Sequence, residues 1–228
     1  MIHDFIVIGA GASGLFFAAT RGLELGCLRA DLGGTRKPAA ALGKRLQQPG
    51  NVSKAGNEAG EAAKVLILEH QDRAGRKLLL SGGGKCNVTN LSVSPENYLC
   101  ASPRFCRNAL SAFGPEQLLT LLRQNRIDIE EREHGQIFCR RGAEELRDLL
   151  LRLAERNGAQ IKLGQNIQAV SHDIAGGGFE VTSNGQSHFS RRLLLASGGP
   201  AWPRAGGTGF GEALARQAGH KIVPAAPA

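Results

Sequence analysis

Three glycines near the start of the chain have the spacing that a bound diphosphate requires. Gly9, Gly11 and Gly14 form a GxGxxG turn between the apolar residues 5–8 and a stretch of small and apolar residues. This pattern predicts a buried strand, a tight turn at Gly9, and a helix whose free N–H groups face the phosphates. A turn without a ligand is disfavoured, because three glycines weaken a helix start unless something must approach closely. The residues predicted to bind the diphosphate of a dinucleotide are Gly9, Gly11, Ala12, Ser13 and Gly14.

A carboxylate that holds a ribose is expected at the end of the second strand, about 20 residues after such a turn. The sequence departs from that spacing, since the next apolar strand pattern, residues 65–68, comes much later and is followed by Glu69. We assign the ribose to Glu69 and interpret about residues 27–63 as an insertion between helix and strand. Its low-complexity composition predicts a mobile surface loop. Asp31 lies nearer the usual spacing but follows no strand, so it is the weaker candidate.

A second glycine-rich stretch follows Glu69. It combines Arg76 and Lys77 with three consecutive glycines and a polar tail that contains Lys85 and Cys86. Such a stretch packs poorly but exposes backbone N–H groups to a cofactor. The basic side chains could bind phosphates or a polyanionic substrate, or only form a solvated face. Cys86 is a weak catalytic candidate, either as a general acid or as a redox thiol whose pKa the neighbouring Lys85 would lower, and the alternative is a small packing residue.

Residues 75–90, Gly-Arg-Lys-x-Leu-x-Ser-Gly-Gly-Gly-Lys-Cys-Asn-x-Thr-Asn, resemble the signature of the BaiN/RdsA (YhiN-type) family of FAD-dependent oxidoreductases. In that family the run follows the acidic residue that binds ribose, and it wraps the FAD. Looser similarity runs through residues 113–116 and 133–138, and a stronger one runs from Ala196 to the end. The resemblance implies FAD contacts from Arg76, Lys77, Ser81, Gly82, Gly83, Gly84, Cys86 and Asn87.

Residues 191–199 predict a second buried strand. It ends in Ala-Ser-Gly, similar to the Ala-Thr-Gly that lies beside the first glycine turn in flavoproteins of the two-dinucleotide-binding type. The resemblance therefore adds Ser197, Gly198 and Gly199 to the cofactor-binding residues. The loop that follows resembles the family's Tyr-Pro-x-x-Gly-x-Thr-Gly-Asp-Gly, but Trp202 replaces the tyrosine and Phe210 the aspartate.

The fold class predicted from these patterns is α/β, a Rossmann-like FAD-binding domain of the two-dinucleotide-binding type with an inserted α+β segment. Residues 1–90 are expected to form the FAD-binding part with its insertion, residues 91–190 a mixed segment, and residues 191–228 the return strand and glycine-rich loop. Within the mixed segment we predict a helix that starts near 114–116, a helix over 143–157 and a hairpin that turns at Asn184 and Gly185. Family members continue for a comparable length, so the resemblance implies that the chain lacks their C-terminal half.

Composition limits the environment and the partners of the protein. The sequence has no apolar run of about 18 residues and no basic segment before an apolar one, so we expect neither a membrane span nor a signal peptide. Five cysteines without a C-x-x-C pair argue against a disulfide framework and a zinc site, and a reducing cytoplasm fits them. The net charge of +8 favours anionic partners, with RNA among the candidates.

The resemblance implies an FAD-dependent oxidoreductase with NAD(P)H as a plausible reductant. It admits several substrates: a small amino-ketone, a steroid-like enone, or a uridine of ribosomal RNA reduced to dihydrouridine. The positive charge favours RNA. A non-catalytic or truncated FAD-binding module and an NAD-linked dehydrogenase domain are the alternatives. A flavin spectrum would exclude the last of these, and NAD(P)H consumption would separate the enzyme from the module.

Overall fold

The computed structural model describes residues 1–28, 63–98, 102, 104–173, 177–203 and 206–224. The predicted insertion lies almost entirely outside these residues, and Asp31 lies outside them too. The chain divides into two compact units. The first comprises Met1–Ala18, Ala62–Leu78 and Leu153–Ala228, and the second comprises Ala19–Glu61 and Leu79–Arg152.

The chain contains both helices and strands, as the α/β prediction requires. The strands are β1 (Ile2–Ile8), β2 (Val65–Leu68), β3 (Asn87–Asn90), β4 (Ile129–Glu131), β5 (Gln136–Cys139), β6 (Ala159–Lys162), β7 (Ile167–Asp173), β8 (Gly178–Ser183) and β9 (Gln186–Leu195). The helices are α1 (Ala12–Leu28), α2 (Arg76–Leu80), α3 (Arg107–Ala112), α4 (Pro115–Gln124), α5 (Ala143–Arg156) and α6 (Phe210–Gln217). Short 3-10 helices cover Ser81–Gly84, Pro95–Asn97 and Glu133–Gly135.

A six-stranded mixed sheet organises the first unit. Its order is β6-β2-β1-β9-β8-β7, in which β6, β2, β1 and β9 run parallel and β8 lies antiparallel to both of its neighbours. The apolar residues 5–8 of β1 are all buried, as a strand between two covered faces requires. Leu15 and Ala18 of α1 are fully buried, and Phe17 packs edge-on against Phe5. The predicted order of strand, glycine turn, helix and second strand is therefore confirmed, and the fold of this unit is Rossmann-like.

Strand β9 is one continuous element where the sequence predicted two. Asn184 and Gly185 turn the chain from β8 with φ angles of 47° and 73°, as the predicted hairpin requires. The strand then pairs antiparallel with β8 and, further along, parallel with β1 up to the pair of Ile8 and Leu195. The expectation of a buried strand over residues 191–199 is wrong. Leu193 packs against the core, but Leu195 is 37% exposed and ends the strand.

The second unit contains a three-stranded antiparallel sheet with the order β3-β5-β4. Helix α4 begins where the sequence predicts it, since Pro115 occupies the first helical position and Gly114 N–H donates to the Gln117 side chain at 2.9 Å. Helix α5 ends before Gly158, whose φ of 77° suits the helix stop predicted there. No helix in the described part of the chain is long and apolar enough to cross a membrane.

Candidate dinucleotide site

The three glycines of the first turn have different surroundings. A Cβ atom at Gly9 would overlap the carbonyl oxygen of Ala196, and a Cβ atom at Gly14 would overlap the carbonyl oxygen of Gly9. Gly9 also has a φ of 108°, which favours glycine. At Gly11 a Cβ atom would meet no described atom within 4 Å. The fold therefore requires Gly9 and Gly14, whereas Gly11 leaves open space at the start of α1.

The first turn of α1 faces that open space. Leu15 N–H donates to the carbonyl of Gly11 at 3.0 Å, so the helical hydrogen bonds begin there. The N–H groups of Ala12, Ser13 and Gly14 precede that bond and have no partner within the helix. Ala12 and Ser13 are exposed. These groups can donate to an anion, as predicted from the motif.

The end of β9 lies beside this turn, as the predicted return strand requires. Ala196 N–H donates to the carbonyl of Ile8 at 2.9 Å, and the carbonyl of Ala196 contacts Gly9. Gly198 has a φ of 72°, and neither Gly198 nor Gly199 has a described atom within 4 Å of a Cβ position. The structure thus brings residues 197–199 to the carboxyl ends of the parallel strands.

Glu69, predicted to bind the ribose, is hydrogen-bonded to the glycine turn of residues 9–14. One carboxylate oxygen accepts from Ala10 N–H at 2.6 Å, and the other accepts from Gln71 N–H at 2.9 Å. Nδ1 of His70 lies 3.0 Å from that second oxygen. The side chain is only 8% exposed, yet the oxygen that accepts from Ala10 N–H keeps a further lone pair that could accept from a ribose hydroxyl. The sequence did not reveal that Glu69 also fixes the turn.

A pocket opens at the carboxyl ends of β1 and β2. Ligands of open parallel sheets bind in the crevice outside these strand ends. The apolar lining with a few polar groups suits a planar aromatic ring. Sequence reasoning named Gly9 and Ser197 as site residues, and the loop that resembles the family's glycine-rich loop contributes Thr208 and Phe210, but that reasoning assigned no site role to the other lining residues. The pocket is lined by Ile8, Gly9, Leu68, His70, Asn166, Ile167, Ser197, Thr208 and Phe210.

Helix α2 starts close to the first turn. Gly75 N–H donates to the carbonyl of Ala10 at 2.8 Å, which places the residue before Arg76 next to the residue before Gly11. Arg76 and Lys77 are both exposed, and Arg76 Nη1 donates to Gln71 Oε1 at 2.6 Å. Two basic side chains therefore begin α2 where the chain is fixed to the glycine turn.

The second glycine-rich stretch folds into a tight turn of the second unit. Gly82, Gly83 and Gly84 have φ angles of 58°, 65° and 87°, and Cys86 N–H donates to the carbonyl of Ser81 at 3.0 Å. A Cβ atom at Gly82 would lie 2.6 Å from the ring of Phe138, whereas Gly83 and Gly84 have no described atom within 4 Å of a Cβ position. Ser81, Gly82, Gly83, Gly84, Cys86 and Asn87 thus lie together in the second unit, with Gly82 held by packing and two glycines open.

A charged network supports that turn. Glu130 forms ion pairs with Lys85 at 3.5 Å and with Arg132, and the hydrogen bond from Arg132 lowers the pKa of Glu130. The Arg132 guanidinium lies 4.1 Å from the centre of the Phe138 ring. Arg132 and Glu130 therefore restrain both Lys85 and the ring that contacts Gly82. This network could not be predicted from the sequence, since its other members lie more than 40 residues after Lys85.

The thiol of Cys86 differs from the prediction made for it. Cys86 is 5% exposed, and burial raises its pKa, an effect that a hydrogen bond with Ser81 opposes. Cys139, which is fully buried, has a pKa raised to about 12 by burial and then by the negative charges of Cys86 and Glu145. The interpretation of Cys86 as a thiol whose pKa Lys85 lowers is wrong, because burial raises this pKa and the Lys85 ammonium is paired with Glu130. Cys86 remains protonated at neutral pH.

Within the described ranges, no three His, Cys, Asp or Glu side chains are grouped so that they could hold a metal ion. The site is thus built from backbone N–H groups, one carboxylate, basic side chains and an apolar pocket. These are the groups that a dinucleotide needs: donors for its diphosphate, an acceptor for a ribose and an apolar wall for an aromatic base.

Known proteins match this chain over most of its length. It is 31% identical to a ribosomal RNA dihydrouridine synthase of Escherichia coli (strain K12) over 221 residues, 97% of this chain and 46% of that protein. It is 34% identical to a 3-dehydro-bile acid delta(4,6)-reductase of Clostridium scindens (strain ATCC 35704 / DSM 5676 / VPI 13733 / 19) over 167 residues, 73% of this chain and 40% of that protein. The chain therefore spans about half the length of these curated relatives.

A solved structure and a family model both match this chain. The crystal structure of Thermovibrio ammonificans THI4 superposes with a TM-score of 0.50 at 14% identity, covering 96% of this chain and 63% of that one, which shows the fold alone. Residues 52–226 match the HI0933-like protein Rossmann domain. The resemblance inferred from residues 75–90 is confirmed, and the chain belongs to the HI0933-like family of Rossmann-domain proteins.

Proposed function

We propose that the chain is the FAD-binding portion of an FAD-dependent oxidoreductase. The observation that carries the proposal is the open space at Gly11, between two glycines that the fold requires for packing. Among the residues that the structure describes, none gives Gly11 a packing reason to lack a side chain, and Gly11 precedes the free N–H groups of α1. A ligand with a diphosphate explains both facts.

The residues present fit FAD along its adenosine end. Gly11, Ala12 and Ser13 would bind the diphosphate, with Arg76 and Lys77 supplying positive charge, and Glu69 would accept from the adenosine ribose. The adenine would occupy the pocket at the ends of β1 and β2, where apolar side chains favour a flat ring. The open backbone at residues 198–199, in the same unit, would contact the rest of the cofactor.

FAD is preferred to NAD because two glycine-rich stretches besides the first turn leave backbone exposed, which a plain NAD-binding domain does not need. When bound, the flavin supplies two-electron transfer to or from a substrate. NAD(P)H is the proposed reductant, and the cytoplasm the proposed location, since the described cysteines Cys86, Cys106 and Cys139 are free thiols.

The proposed reaction is the reduction of a carbon–carbon double bond by one hydride and one proton. Two relatives are named as a ribosomal RNA dihydrouridine synthase and a bile acid delta(4,6)-reductase. The net charge of +8 favours the polyanionic substrate, so we propose a uridine of ribosomal RNA, with a steroid-like enone or a small amino-ketone as the alternative. The second candidate function is a non-catalytic FAD-binding module.

The test combines a spectrum with an assay. Purified protein incubated with FAD and desalted is expected to keep the absorption bands of oxidised flavin, and a protein that returns without them would refute the cofactor. NADH or NADPH consumption is then followed with ribosomal RNA that lacks dihydrouridine and, separately, with a steroid enone. Turnover with RNA supports the proposal, turnover with the enone supports the alternative substrate, and bound flavin with neither supports the binding module.

A further inference from the structure

Gln71 joins Arg76 to Glu69 through a continuous series of close polar contacts. Arg76 Nη1 donates to Gln71 Oε1 at 2.6 Å, and Gln71 Nε2 lies 2.6 Å from His70 Nε2. Nδ1 of His70 lies 3.0 Å from one oxygen of Glu69, whose other oxygen accepts from Ala10 N–H at 2.6 Å. The series therefore runs from the basic start of α2 to the glycine turn.

The chemistry of the end members fixes the direction of every bond in the series. A guanidinium only donates, so Oε1 of Gln71 accepts from Arg76 and Nε2 is left to donate to His70. Nε2 of His70 then accepts, and its Nδ1 carries the proton that is donated to Glu69. The amide orientation of Gln71 and the tautomer of His70 thus depend on each other.

Gln71 is itself held firmly. Its N–H donates to Glu69 at 2.9 Å, and its carbonyl accepts from Gly164 N–H at 2.9 Å. Its side chain packs against the backbone of Gly206, where a Cβ atom would lie 2.8 Å from Gln71 Nε2. A half-buried amide with a partner at its oxygen and at its nitrogen therefore supports the exposed guanidinium of Arg76.

A supported arginine binds an anion better than a free one. A free arginine side chain loses rotamer entropy when it binds a ligand. Gln71 removes part of this loss in advance, and the bond from Gly75 N–H to the carbonyl of Ala10 keeps Arg76 close to the space at Gly11.

We propose that Gln71 is a positioning residue that fixes Arg76 for the diphosphate of the cofactor, so that the site prefers an adenosine diphosphate group to adenosine alone. This inference rests on the proposed function, and it identifies Gln71 and Arg76 as the pair of residues that would recognise the diphosphate. Gln71 does not touch the ligand in this proposal; it acts through Arg76.

The experiment measures the dissociation constants of FAD, ADP and adenosine by calorimetry. Gln71→Ala is expected to raise the dissociation constants of ADP and FAD by about fivefold to tenfold while changing that of adenosine less than about twofold. Gln71→Met keeps the length that packs on Gly206 but cannot replace the amide, so the same selective loss is expected. Gln168→Ala is the matched control, because that amide accepts from Gly185 N–H and takes no part in the series.

A double-mutant cycle separates positioning from general damage. In an Arg76→Ala background, Gln71→Ala is expected to change ADP binding less than about twofold, because the group that Gln71 positions is gone. Equal weakening of ADP and adenosine, or an undiminished effect in the Arg76→Ala background, would overturn the inference. If the wild-type protein binds ADP but not FAD, the flavin proposal is refuted. The ADP measurements on the Gln71 variants then still test the positioning role. Binding of neither ligand would overturn both.

Discussion

The carboxylate of Glu69 accepts a hydrogen bond from the backbone N–H of Ala10, at 2.6 Å and across 59 positions of sequence. The same carboxylate caps the chain that follows it by accepting from Gln71 N–H. The acid that the motif predicts for a ribose therefore also closes the turn in which a diphosphate would lie. Loss of this carboxylate is expected to weaken both the turn and the binding of adenosine.

The Glu69→Gln variant tests this double role. Its amide has one acceptor oxygen instead of two and places N–H₂ donors against backbone N–H groups. We expect the free energy of unfolding to fall by about 1–3 kcal/mol, the usual effect of an unpaired buried group, and adenosine binding to weaken as well. Urea unfolding and calorimetry measure the two effects. Glu155→Gln, at an exposed position of α5, is the control. Weaker adenosine binding in Asp31→Asn with normal binding in Glu69→Gln would contradict the assignment.

Substitutions at two glycines of the first turn should affect FAD binding and protein stability separately. Gly11→Val fills the open space and is expected to leave the melting temperature within a few degrees of wild type while FAD binding is lost. Gly14→Ala would push a methyl group into the carbonyl of Gly9, and we expect it to destabilise the fold by about 1–3 kcal/mol. Thermal unfolding and flavin absorbance after desalting compare the two. Normal FAD occupancy in Gly11→Val would exclude the proposed diphosphate site.

Local patterns predicted much of this site, and contacts between distant residues account for what they missed. The strand before Gly9, the helix after it and the hairpin at Asn184 each follow from residues that are neighbours in sequence. The hydrogen bond from Ala10 N–H to Glu69 joins residues 59 positions apart, and no periodicity encodes it. The continuity of β9 was missed for a related reason, because its two halves have different partners and therefore different patterns.

The second glycine-rich stretch offers a test within the second unit. Gly83→Ala places a side chain at a φ of 65° in open space, and the expected loss is about 1–2 kcal/mol from backbone conformation alone. Gly82→Ala has the same type of strain and in addition meets the ring of Phe138, so its loss should be larger by about 1–3 kcal/mol. Unfolding in urea ranks the variants. In a Phe138→Leu background the difference between them should shrink, and an unchanged difference would rule out the ring as its cause.

Alkaline pH should reveal the buried thiol of Cys139. Its pKa is raised from 9.0 to about 12 by burial, so the folded protein keeps the proton that the unfolded chain loses. The stability that this group contributes is complete below pH 9 and decreases as the pH rises towards about 12. We expect the wild type to lose up to about 1.4 kcal/mol more per pH unit than Cys139→Ala in this window. Chemical unfolding at pH 8, 9 and 10 measures the slopes, and parallel curves would contradict the assignment.

The position of β1 between β2 and β9 also has a consequence for synthesis on the ribosome. Strand β1 is synthesised before its partner β9, which ends at Leu195. The sheet therefore cannot be completed until nearly all of this sequence has been translated. At about 5–20 residues per second, β1 waits for roughly 10–40 seconds with one edge unpaired. The hairpin of β8 and β9 has only short loops to close and can form as soon as it emerges. The nascent chain therefore contains an apolar strand with an unpaired edge before the site at the end of that strand can form.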